Sequence, residues 1–212
     1  MRQAWIAGAT GLVGNILSEK LTSLHVYEEV KKLVRRPTGG EPGRADGVDV
    51  VVNYDQLTLT AESGADFFCC LGSTIKKAGS QQAFRLVDEK YVVRFAEEAK
   101  KSGARCLVVI SAVGADPRSS VFYNRVKGQM EDGVRRVGLR SVYILRPSLL
   151  LGERKEKRFA ERVAISIAPL MNAVMGGPLK KYRPIQASRV AELAIQCAAQ
   201  GEAGFHVLEG FE

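Results

Sequence analysis

The sequence predicts a doubly wound α/β fold, a parallel sheet covered by helices on both faces. Three observations lead there. Short runs such as 66-DFFCCLG-72 and 106-CLVVISA-112 are apolar without alternation, as strands buried on both faces require. Segments of ten or more residues with apolar positions at helical spacing lie between them. The right-handed crossover rule then makes the doubly wound topology the economical one.

The elements follow in order. Residues 5–9 read as a buried strand and 12–24 as a helix with apolar positions 13, 16, 17, 21 and 24. A second strand is expected at 30–34, a third at 48–53 and a fourth at 66–72. A long helix over 81–102 carries Phe84, Val87, Tyr91 and Phe95 on one stripe, and Gly103 stops it. A fifth strand at 106–112 precedes a helix over 122–137 ended by Gly138, and a sixth strand fills 142–151. Helices near 158–175 and 187–200 and a last strand at 205–209 complete the chain. The stretch 37-PTGGEPGRADG-47 reads as a surface loop. One domain over 1–212 is therefore expected, with residues from about 153 to 212 contributing a small helical substrate or lid region.

Composition narrows the function classes. The 212 residues are 46% hydrophobic with 7 prolines, which excludes extensive disorder. The net charge of +8 is spread over short basic pairs, and only 154-RKEKR-158 is denser. Few aromatics interleave with these bases, so an anionic small molecule is favoured over nucleic acid. Cys69, Cys70, Cys106 and Cys197 fit no zinc spacing, and His25 and His206 lack partners at metal spacing, so no metal is expected. There is no signal-peptide pattern and no apolar run of about 18 residues to cross a bilayer. A cytoplasmic protein with no membrane partner is the expectation.

In such sheets ligands bind at the carboxyl ends of the strands. The first strand ends in 8-GATGLVG-14. Gly8 permits a tight turn, Gly11 lets backbone approach a pyrophosphate at the positive end of the helix, and Gly14 allows close helix–sheet packing. At the end of strand two, where NAD-binding chains usually offer a carboxylate to the ribose, stand Arg35 and Arg36. Arginine pairs with a 2′-phosphate, which favours NADP(H). Tyr123 and Lys127 are four residues apart on a predicted helix, hence on one face. A neighbouring ammonium lowers a phenol's pKa and suits Tyr123 to proton transfer. Ser111 ends strand five, where its hydroxyl can polarise a carbonyl. Asp55, just after strand three, stands where it can meet an adenine amino group or cap its loop.

Taken together, GATGLVG at 8–14, RRP at 35–37, SAVGAD at 111–116, YNRVK at 123–127 and LRPSLLLGER at 145–154 resemble the short-chain dehydrogenase/reductase superfamily in its atypical branch. Segments 71-LGSTIKKAGS-80 and 86-LVDEKYV-92 look closest to the Tat-interacting-protein-like oxidoreductases of that branch. The resemblance implies a Rossmann-type NADP(H) domain with Ser111, Tyr123 and Lys127 in the catalytic places. It also implies cofactor contacts at Thr10, Leu71, Gly72, Arg146, Pro147 and Ser148. The expected cofactor set is then Gly8, Thr10, Gly11, Leu12, Val13, Arg35, Arg36, Leu71, Gly72, Arg146, Pro147 and Ser148. This chain departs from the family at the helix asparagine of the proton relay, near which Asp88 stands. Only about sixty residues follow Gly152, fewer than sugar-nucleotide epimerases use for a substrate lobe.

Two functions follow as expectations. The first is an NADP(H)-dependent oxidoreductase acting on a small carbonyl or alcohol. The second is an NADP(H)-binding redox sensor that reports to a protein partner with little or no turnover. The oligomeric state is left open by the sequence.

Overall fold

The computed structural model describes residues 2–38, 47–152 and 182–211. Its main sheet runs β3-β2-β1-β4-β5-β6-β9 with every neighbour parallel. The strands are β1 (Arg2–Ala7), β2 (Tyr27–Val34), β3 (Val48–Val51), β4 (Asp66–Cys69), β5 (Cys106–Ile110), β6 (Ser141–Arg146) and β9 (Gly204–Glu209). The strand order reverses beside β1, which pairs with β2 on one side and β4 on the other. That reversal opens a crevice at the carboxyl ends of β1 and β4, the place where this class of sheet binds ligands.

Alternation along the central strands sorts their side chains onto two faces. Ala4, Ile6, Phe68, Val108 and Leu145 meet Leu17 and Leu21 of α1 (Leu12–Ser23) and Val190 and Ala194 of the last helix, Ala187–Gln200. Trp5, Phe67, Leu107, Val109 and Ile144 face the other way. They meet Phe95 and Ala96 of α4 (Tyr91–Lys101) and Met130 and Val134 of α5 (Phe122–Val137). The double winding read from the sequence is present.

Several elements depart from the sequence reading, each for a physical reason. β2 begins at Tyr27 rather than 30, because polar residues at its start still pair with β1 and hide from an apolar pattern. The strand expected over 142–151 ends at Arg146, since Pro147 has no N–H for the ladder. Leu150–Leu151 (β7) instead pairs with Ile185–Gln186 (β8) in a separate small sheet. A short helix, α2 (Ile75–Ala78), was not expected; the Thr74 side chain caps it and Gly79 ends it.

The long helix is three pieces: α3 (Gln81–Arg85), a π turn over Leu86–Lys90, and α4. The wider turn passes the inward positions on by one residue. Asp88 and Val92 are buried where Val87 and Tyr91 were expected, and those two are only half-buried. Single π turns inside helices recur at functional sites. The helix expected near 158–175, with Met171 and Met175, and the residues Lys180 and Lys181 lie outside the described residues. No described helix is long and apolar enough to cross a membrane.

Candidate active site

Gly8 turns the chain out of β1 with φ of 80°. A Cβ there would come within 2.5 Å of the Cys70 backbone, and one at Gly14 within 2.2 Å of the Gly8 carbonyl oxygen. The loops after β1 and β4 therefore touch, and α1 is pressed onto the first of them. Two groups of expected cofactor residues, Gly8 to Val13 and Leu71–Gly72, are thus brought together at Gly8 and Leu71. Gly11 is the N-cap of α1 and brings no side-chain cap to the first amides, and the first turn holds no acidic residue. Such a helix start suits an anion, and a dinucleotide's pyrophosphate fits it.

Arg35 and Arg36 are exposed at the carboxyl end of β2. Tyr54 stacks on Tyr91 at 5.3 Å, and the Tyr91 hydroxyl donates to Asp55 Oδ1 at 3.0 Å. Asp55 thus bridges the loop after β3 to α4. Its own amide donates to Asn53 Oδ1.

On α5, Tyr123, Lys127 and Glu131 stand four residues apart along one face. Lys127 Nζ lies 2.8 Å from Asp88 Oδ1, and both side chains are buried. The other Asp88 oxygen accepts the Ser73 amide at 2.8 Å. A Cβ on Gly72 would stand 3.6 Å from Asp88 Oδ1 and 3.9 Å from Lys127 Nζ. The helix that carries the expected proton donor therefore meets the expected cofactor loop. The ring of Tyr123 packs at 5.6 Å from Phe84.

Ser111, buried just past β5, donates its hydroxyl hydrogen to Glu131 Oε1. Glu131 in turn accepts a forked pair from Arg146, at 3.0 Å from Nε and 2.6 Å from the second terminal nitrogen. Arg146, expected at the cofactor, is thus also the partner of Glu131. Pro147 accepts the Val113 amide through its carbonyl at 2.9 Å, and Ser148 donates to the Arg183 carbonyl. Arg146, Pro147 and Ser148 line a cavity of about 250 Å³ together with Arg183, Ile185 and Phe211.

One electrostatic expectation is corrected. Lys127 does draw the Tyr123 phenol pKa down, but burial is the larger influence and Asp88 adds to it, so the net direction is up. The Lys127 ammonium is held above the usual lysine range by Asp88, against the penalty of burial. Glu131 was not singled out from the sequence, although its spacing from Tyr123 and Lys127 was readable there. The contact between Asp88 and Lys127 depends on the packing of the π turn against α5 and had no local signal.

No family model matches this chain. Among curated proteins, FMP52 of Eremothecium gossypii is 32% identical over 92% of this chain and 88% of its own length. HTATIP2 of Rattus norvegicus is 34% identical over 77% of this chain and 69% of its own. The chain belongs to the HTATIP2/FMP52 family.

This family assignment agrees with solved structures of the same fold. MoeE5 in complex with UDP-glucose and NAD superposes with a TM-score of 0.73 at 18% identity, covering 97% of this chain and 75% of that one. A short-chain dehydrogenase/reductase superfamily protein from Agrobacterium tumefaciens with bound NAD gives 0.69 at 15% identity, over 98% and 77%. The HTATIP2/FMP52 relationship overturns one expectation. The FMP52 relatives are described as mitochondrial, which conflicts with the cytoplasmic location inferred from the absence of a signal-peptide pattern. That inference tested for a secretory signal, and the destination named for these relatives is a different one.

Proposed function

We propose that this chain is an NADP(H)-dependent oxidoreductase acting on a small carbonyl or alcohol, working as one domain with residues from about 153 onward on the substrate side. The observation that carries this reading is the meeting of the Tyr123–Lys127 face of α5 with Gly72 at the strand-order reversal. When bound in that crevice, the nicotinamide cofactor supplies hydride chemistry. The chain's own residues do the rest. Gly8, Thr10, Gly11, Leu12 and Val13 cradle the pyrophosphate, and Leu71, Gly72 and the segment Arg146–Pro147–Ser148 flank the cofactor. Lys127 holds the ribose and keeps a positive charge beside Tyr123, whose phenol gives its proton to the carbonyl oxygen as charge develops there.

Ser111 would orient that oxygen, which requires its hydrogen to turn away from Glu131. The same bond favours a second reading. A chain that binds NADP(H) without turnover, and reports redox state to a protein partner, has no need to free that hydroxyl. Purified protein assayed with NADPH and NADH against a carbonyl panel separates the two. Turnover lost in Tyr123→Phe supports the enzyme, and tight cofactor binding without turnover on any carbonyl supports the sensor.

Arg35 and Arg36 support NADP(H) over NAD(H) because no carboxylate ends β2 to repel a 2′-phosphate. Charge-assisted hydrogen bonds of this kind contribute about 1.5–3 kcal/mol. The double change Arg35→Ala/Arg36→Ala is therefore expected to weaken NADPH binding about 10–100-fold and leave NADH binding nearly unchanged. Titration calorimetry with both cofactors checks it. Equal losses for the two would remove the 2′-phosphate role.

A further inference from the structure

Asp88 is delivered by the π turn to a place where three elements meet. Its carboxylate binds Lys127 of α5 on one side and the Ser73 amide of the β4 loop on the other. The side chains of Asp88 and Lys127 are 0% and 4% exposed. Tyr123 faces this pair from α5, and Cys69 from the end of β4. Burial pushes the Cys69 thiol up to about 12, so it carries no charge near neutrality. Glu131, one turn further along α5, is engaged by Ser111 and Arg146.

We propose that Asp88 is a positioning residue for the Tyr123–Lys127 pair: its carboxylate is the built-in counter-ion that keeps the ammonium charged and aimed, and so biases the site toward giving a proton to a carbonyl oxygen. This rests on the oxidoreductase reading above. A buried ammonium without a counter-ion is penalised by desolvation. Removing Asp88 therefore makes the first proton of the Tyr123–Lys127 pair easier to lose, whichever of the two groups releases it. The proton-donating form exists below the midpoint of that loss and disappears above it. With Asp88 in place the midpoint is held higher, and reduction extends further to the alkaline side.

The test uses the full chain with Asp88→Asn, Asp88→Ser and Asp88→Glu. One readout needs no activity: the Lys127 signal in protein carrying carbon-13 at lysine Cε, identified by its loss in Lys127→Met, is followed against pH. The other is the alkaline limb of NADPH-dependent carbonyl reduction. In the Asn and Ser variants both midpoints are expected to fall by about one pH unit or more, the usual effect of removing an opposite charge at this distance. Glu at the same position is expected to restore most of the shift. Unmoved midpoints in a neutral variant that keeps its circular dichroism would overturn the proposal. Failure of the oxidoreductase reading shows separately, as full turnover in Tyr123→Phe or none in the wild type, and the lysine titration then decides the counter-ion role alone.

Discussion

Replacing Lys127 with methionine is expected to lower kcat by about 10²–10⁴-fold, the range over which a positioned proton-transfer group contributes. The expected loss has two physical sources that must be separated. Methionine removes the charge beside Tyr123, so the phenol loses the Lys127 ammonium that pulls its pKa down while burial and Asp88 still push it up. It also leaves Asp88 buried without a partner, and breaking a buried pair costs about 3–5 kcal/mol of stability. A second variant, Lys127→Met with Asp88→Asn, removes both charges and is expected to recover most of the melting temperature. If that double variant folds with near-native stability and still fails to turn over, the loss is chemical. Wild-type kcat in the folded double variant would exclude Lys127 from the proton relay.

The second large effect concerns the turn out of β1. Gly8 and Gly79 share nearly the same φ, 80° and 81°, but differ in surroundings. A Cβ at Gly8 meets the Cys70 carbonyl carbon and oxygen at 2.5 Å, whereas nothing lies within 4 Å at Gly79. Gly79→Ala therefore carries only the left-handed backbone penalty, about 1–2 kcal/mol. Gly8→Ala adds overpacking against backbone that cannot rotate aside, about 1–3 kcal/mol more. In a chain of this length each kcal/mol lowers Tm by about 2–4 °C. Thermal unfolding of the two variants is expected to differ accordingly, and the Gly8 variant is expected to show little further stabilisation by NADPH. Equal Tm values would mean that the β1 and β4 loops are not held as closely as described.

What was legible in the sequence was local. The β1 turn, its glycines and the start of α1 are contiguous, and the structure keeps them together. Tyr123 and Lys127 share one helix, so their common face followed from spacing alone. Glu131 obeys the same spacing, but its burial against Ser111 and Arg146 depends on strands distant in sequence. Asp88 had no such signal. Its partner lies 39 positions away on another helix, and its inward direction depends on a turn whose hydrogen bonding the side-chain pattern does not reveal. The direction of the Tyr123 shift was misjudged for a related reason: the sequence shows the neighbouring charge, but burial and the opposing carboxylate are properties of the packed state.

The π turn also carries a consequence for how this segment tolerates change in length. Removing a single residue between Leu86 and Lys90 would restore ordinary helical hydrogen bonding, and by helix propensity alone it would look harmless. The wider turn absorbs one residue, so such a deletion leaves α3 and α4 near their present relation. Phe84 keeps its contacts with Phe122 and Tyr123, at 5.8 and 5.6 Å, and the bond to Lys127 is lost only when Asp88 itself is the residue removed. Leu86 and Lys90 point outward, so replacement there is inexpensive. In this stretch a deletion can be tolerated as readily as a substitution, so the identity of Asp88 matters more than the count of residues around it.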